Sequence, residues 1–94
     1  MSNKFDAVQT DDDTRTIFSA EAKLGNYDVL YEKWYWDGIT GESIIFASED
    51  ILTLSKRELE AEVKTSPLVK SRSAITIKRS ESGFTFVNFN FETG

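Results

Sequence analysis

The stretch Tyr27–Trp36, Tyr-Asp-Val-Leu-Tyr-Glu-Lys-Trp-Tyr-Trp, holds both tryptophans and all three tyrosines of the chain. Read in steps of two, it offers Tyr27, Val29, Tyr31 and Tyr35 to one side and Leu30, Trp34 and Trp36 to the other. That is the pattern of a strand with large apolar bodies on both faces. Such a strand needs cover on both sides, so it is expected at the centre of a small sheet, with the rest of the chain layered around it.

The flanking sequence supplies those layers. Residues 14–24 alternate, with Phe18, Ala20, Ala22 and Leu24 on one side and Ser19, Glu21 and Lys23 on the other, as in a half-buried strand. Gly25-Asn26 then fits a two-residue type II' turn that pairs this strand antiparallel with the central one. Residues 37–41, Asp-Gly-Ile-Thr-Gly, read as a loop, and residues 43–47 as a third strand completing a meander.

One helix is expected over residues 56–65. Ser55 and Glu58 have the spacing of a capping box, Leu54 and Leu59 that of a hydrophobic staple, and Pro67 stops the helix. The alternative start at Ser48 places Ile51 where the box needs an acid or amide. The apolar stripe, Leu59 and Val63, is thin, so the helix must dock on a sheet face to persist.

A fourth strand is expected over residues 73–79 and a fifth over 84–91, joined by a turn at Glu81-Ser82-Gly83. In the fifth, Phe84 and Phe86 share one side while Val87, Phe89 and Phe91 share the other. This change of phase implies a bulge, burial of both faces, or a face used as an interface. The expected fold is thus a single α+β domain over residues 14–94. It is a mainly antiparallel five-stranded sheet, built from a three-strand meander, one helix packed on one face and a C-terminal hairpin. Residues 1–13 are polar, end in Asp11-Asp12-Asp13 and read as a flexible acidic arm that Phe5 and Val8 pin weakly.

Composition narrows the chemistry. Without cysteine or histidine, the 94-residue chain has no disulfide, no thiolate nucleophile, no Cys/His zinc site and no imidazole base. A Ser-His-Asp triad is therefore excluded. The net charge of −5 is uneven, with 4 bases against 11 acids in residues 1–50 and 7 bases against 5 acids in residues 51–94. No stretch approaches the ~20 apolar residues of a membrane span and no leader-like segment opens the chain, so a cytoplasmic location without membrane contact is expected.

Each remaining motif has an ordinary reading beside its functional one. The acids at Asp6 and 11–13 lack the alternate-ligand spacing of a calcium loop and read as a solvated arm, so no metal or other cofactor is expected. Residues 37–43 carry two glycines, but Glu42 stands where a phosphate loop needs lysine, so a turn is the simpler reading. Asp28, Glu32, Asp37 and Glu42 lie beside sugar-friendly aromatics, yet they read better as polar positions of strands and turns than as catalytic carboxylates.

Lys64, Lys70, Arg72, Lys78 and Arg79 form an acid-free stretch that single-stranded nucleic acid would suit, against which stands the acidity of the whole chain. The leading expectation is a non-enzymatic protein-binding module, in the manner of an inhibitor, an immunity-type factor or an accessory subunit. Its candidate contact aromatics are Tyr31, Trp34, Tyr35, Trp36, Phe89 and Phe91, with Asp28, Glu32, Asp37, Glu42, Lys70, Arg72, Lys78 and Arg79 as candidate charged contacts. A homodimer is a further expectation. The alternative is a small-molecule or single-stranded nucleic-acid binder that uses the aromatic sheet face and the basic stretch 64–79.

Overall fold

The computed structural model describes residues 5, 8, 13–47, 49, 51, 54–80 and 83–93. In chain order these form β1 (Arg15–Leu24), β2 (Tyr27–Trp36), β3 (Ile39–Ala47), α1 (Lys56–Lys64), β4 (Thr76–Arg79) and β5 (Phe84–Thr93). The strands make one five-stranded antiparallel sheet in the order β1-β2-β3-β5-β4, with α1 on one face. This is the α+β meander, helix and hairpin that the alternation of the sequence implies, but the central strand is β3 and not the expected β2, because the C-terminal hairpin adds its β5 beside β3.

Two tight turns build the meander. Gly25 takes φ 59, the positive value required at the first central position of a type II' turn, and Leu24 pairs with Tyr27 across it. At the second turn Asp37 and Gly38 are both left-handed, with φ 48 and φ 78, which is the type I' requirement. Trp36 therefore pairs directly with Ile39 and β3 begins at Ile39, not at Ser43. The five-residue loop expected over 37–41 is a two-residue turn. Gly41 is a buried strand residue opposite Trp34, and its missing side chain leaves space for the indole.

Helix α1 starts as its sequence dictates. Ser55 Oγ accepts from Glu58 N at 3.2 Å and Ser55 N donates to a Glu58 carboxylate oxygen at 3.3 Å, closing the capping box. Leu59 and Val63 are buried against Leu24, Val29, Ile44, Phe46, Ile51, Val87 and Phe89, and each contributes about 1.5–3 kcal/mol. The thin stripe suffices because the sheet face below it is almost wholly apolar.

The opposite face has a smaller core of Phe5, Ile45, Ala47 and Phe84, with Val8, Leu30 and Phe86 packed against it. Phe5 is 7 % exposed and its ring lies 6.3 Å from that of Phe84. At Phe5 and Val8, then, the expected flexible arm is docked, because a bare belt of Leu30, Ile45, Ala47 and Phe84 would otherwise face water. Asp6, Asp11 and Asp12 lie outside the described residues.

In β5 the change of phase between Phe86 and Val87 is burial on two faces. Pairing with β3 runs unbroken from Phe84 to Phe89, placing Phe84 and Phe86 in the smaller core and Val87 and Phe89 under the helix. The bulge comes later, between the pairs Thr40·Glu92 and Glu42·Phe89, where Asn90 takes φ 53. It corrects the expected face of Phe91. The inserted residue turns Phe91 away from the side of Phe89 and onto Trp34, with ring centroids 5.8 Å apart.

A Cβ on Gly41 would sit 2.3 Å from the six-membered ring of Trp34. Gly41→Ala should therefore lose about 2 kcal/mol or more in urea denaturation and change tryptophan emission. Gly38→Ala meets nothing within 4 Å and only strains a φ of 78, so it should lose about 1 kcal/mol with unchanged emission. Equal losses and equal spectra would mean that the indole does not rest on Gly41.

Candidate interaction surface

Strand register sorts the candidate residues onto two faces. Asp28, Leu30, Glu32, Trp34 and Trp36 of β2 share the face opposite the helix with Gly41, Ser43 and Ile45 of β3, and with Phe86 and Asn88 of β5. This open face has three belts. Uppermost is the apolar belt that Phe5 and Val8 cover. The middle belt is polar, Ser19, Glu32, Ser43, Asn88 and Thr76 standing opposite one another across the five strands. The lowest is apolar again, made by Trp34, Trp36, Ile39 and Phe91.

The lowest belt has no cover among the described residues. Trp36 is 43 % and Phe91 38 % exposed, whereas Trp34 is half-buried between Gly41 and Phe91. Trp34 is also held by its polar edge, since Nε1 donates to Ser43 Oγ at 2.8 Å and Ser43 Oγ donates to Asn88 Oδ1. A fixed indole with one face packed is a rigid aromatic anchor that costs little entropy to engage.

Tyr31 and Tyr35 lie on the helix side of the sheet, so the candidate aromatics do not form one patch. Tyr31 packs on Phe18 at 6.2 Å and its hydroxyl donates to the Glu42 carboxylate. Burial, then that hydrogen bond, then the Glu42 charge push the Tyr31 phenol above its ordinary value. Tyr35 is exposed opposite Arg15. Phe89 is fully buried beneath the helix, which removes it from the surface set, because its pairing with Glu42 places it on the helix face ahead of the bulge.

The charged candidates are equally dispersed. Asp28 bridges Lys23 at 2.6 Å and Asp37 is an exposed turn residue. Glu42 accepts from Asn90 Nδ2 at 2.9 Å as well as from Tyr31, so it holds the bulge in place. Lys70 pairs with Glu92, a contact that raises the ammonium and lowers the carboxyl in pKa. Lys78 and Arg79 pair with Phe86 and Thr85 and so leave β4 on opposite faces, while Arg72 is exposed in the connection ahead of β4. The basic stretch 64–79 is not a single stripe.

Glu32 is 5 % exposed and is corrected from surface contact to buried acid. It sits mid-strand in the polar belt, between Ser19 and Ser43, where neighbouring side chains crowd the carboxyl. Burial raises its pKa above the ordinary 4.5, and a hydrogen bond from Thr16 opposes the rise.

Sequence reasoning missed Ser43, Asn88, Ile39 and Asn90. Serine and asparagine among strand hydrophobes gave no periodic signal, and nothing in the sequence marks the left-handed Asn90, because Phe89 and Phe91 flank it in unbroken alternation. Among the described residues no three acids converge in the manner of a metal site, and no helix is long and apolar enough to cross a membrane. No protein-family model, curated protein or solved structure matches the chain.

The raised pKa of Glu32 has a defined sign. The folded chain holds the proton to a higher pH than the unfolded chain does. The stability tied to Glu32 is therefore complete below 4.5 and is lost as pH rises through the folded-state value. Glu32→Gln should raise the urea midpoint at neutral pH, with the gain vanishing as pH falls towards 4.5. A gain that persists unchanged into acid would assign it to packing instead of to charge.

Proposed function

We propose that the chain is a small acidic cytoplasmic protein-binding module without catalytic activity, and that it engages its partner through the open-face belt of Trp34, Trp36, Ile39 and Phe91. One observation carries this reading. The same sheet face has two apolar belts; Phe5 and Val8 cover the upper one, whereas no described residue covers the lower one, where Trp36 and Phe91 are exposed. Exposed aromatic clusters beside a polar belt are characteristic of protein contact sites, and buried tryptophan anchors dominate their binding energy.

The partner surface that suits this belt is apolar at its centre. Such a module acts by occupying a surface, as an inhibitor, an immunity-type factor or an accessory subunit does. The nucleic-acid alternative has less support, because Lys70 is already paired with Glu92 and the bases of β4 diverge to two faces.

The test is capture on the immobilised chain from extract of its source cells, with proteins identified by mass spectrometry and nucleic acid by absorbance. Trp36→Ser and Phe91→Ser should each weaken retention of a stoichiometric protein by roughly thirty-fold, the magnitude of a hot-spot residue. Tyr35→Ser, on the opposite face, should leave retention unchanged. Retention insensitive to Trp36 and Phe91, or recovery of nucleic acid alone, would sink the proposal.

A further inference from the structure

The two edges of the sheet are unlike. Edge strand β4 has four residues and carries Lys78 and Arg79, a short and charged rim of the kind that discourages pairing. At the other edge β1 has ten residues, and only its Thr16/Phe18 step is irregular. Beyond that bulge, residues 18–24 form a regular strand with one side paired to β2 and, among the described residues, no strand on the other side.

The open side has a definite polarity. A two-residue turn makes its flanking residues, Leu24 and Tyr27, a hydrogen-bonded pair. Along β1, therefore, the backbone groups of Leu24, Ala22 and Ala20 point at β2, and those of Lys23, Glu21 and Ser19 point outward. The outward residues are also the ones whose side chains stand on the open face, including Glu21 and the Lys23 that bridges Asp28.

We infer that β1 pairs antiparallel with β1 of a second copy of this chain about a two-fold axis through Ala22, joining two sheets into one of ten strands. A two-fold axis perpendicular to the sheet keeps both helices on one side, so only residues that share a face can stand opposite one another. Centring on Glu21 or Lys23 would set each against its own charge. Centring on Ser19 or Ala20 would run the pairing into the bulge at Ile17. About Ala22, Glu21 meets Lys23 and Lys23 meets Glu21, which gives two opposite-charge pairs. Each such pair also exchanges backbone hydrogen bonds through outward-facing groups.

On the helix side of the same ladder, Ala20 meets Leu24 and Ala22 meets Ala22, so no polar group is buried without a partner. On the open face each row reads Asp28, Lys23, Glu21 across the boundary, with alternating sign. Glu21 gains from pairing in particular, because its own cross-strand neighbour on β2 is the apolar Leu30. The contact is a strand pair without a broad face, smaller than a standard stable interface, so it belongs to the weak class with a micromolar dissociation constant.

The experiment is sedimentation equilibrium of the full chain from micromolar to millimolar concentration, with circular dichroism as the folding control. The native chain should associate to twice its 10.7 kDa mass. Glu21→Lys and Lys23→Glu should each weaken association roughly ten- to a hundred-fold, since each turns both charge pairs from attractive to repulsive. An equimolar mixture of these two variants should restore the dimer, because every cross-copy pair is again of opposite sign.

Lys23→Glu also loses the bridge to Asp28. The double exchange Glu21→Lys/Lys23→Glu shares that loss yet restores both cross-copy pairs, so it should dimerise like the native chain. A native chain that stays monomeric to millimolar concentration overturns the inference. So does a dimer indifferent to the single exchanges, or a mixture that fails to associate. Tryptophan emission should not change on dilution, because Trp34 and Trp36 lie at the far end of β2; a change that tracks association would move the contact to the aromatic belt and overturn the edge pairing.

Discussion

The contact of Trp34 with Gly41 is the constraint on which the open face depends. The indole takes the space that a side chain at position 41 would fill, its N–H is spent on Ser43, and its far edge carries Phe91. These contacts reach two further strands: Gly41 and Ser43 are on β3, while Asn88, which accepts from Ser43, and Phe91, past the bulge, are on β5. A single side chain thereby ties β2, β3 and β5 into one rigid surface. The glycine, a poor strand former by itself, is rescued by the cross-strand aromatic that covers it.

On the other side of the sheet Asn90 has the complementary task. Its left-handed backbone makes the bulge, and its side chain spends every bond on holding it: Nδ2 donates to Glu42 and to Leu68 O at 2.7 Å, and Oδ1 accepts from Lys70 N at 3.0 Å. The segment between α1 and β4, which has no regular structure to satisfy its backbone, is thus fastened to β5. Because the same residue turns Phe91 to the opposite face, the connection on the helix side and the aromatic belt on the open side depend on one bulge.

The elements that could be read from the sequence are those governed by local rules. The capping box at Ser55 and Glu58, the glycine turn at 25–26 and the alternation of β1 and β2 each need only neighbours within a few residues, and each appears as expected. What stayed hidden depends on partners distant in sequence. Gly41 resembles a loop glycine until Trp34 is placed above it. Phe91 resembles a companion of Phe89 until Asn90 adopts φ 53. Glu32 resembles an exposed strand acid until the polar belt closes around it. In each case the alternation is correct locally and the misreading comes from register, which a bulge or a cross-strand contact sets.

The proposed edge pairing and the aromatic belt constrain each other geometrically. The axis through Ala22 is level with Val29 of β2, five residues from Trp34, or about 17 Å at the rise of a strand. Antiparallel pairing then sets the two belts on the same face of the joined sheet, about 34 Å apart along the strand direction. No single small apolar surface can touch both belts. Under the two proposals together, a dimer would bind either two partner molecules or one partner that is itself two-fold symmetric. In the second case the weak edge contact and the partner contact reinforce one another through effective concentration, without any added contact at either surface.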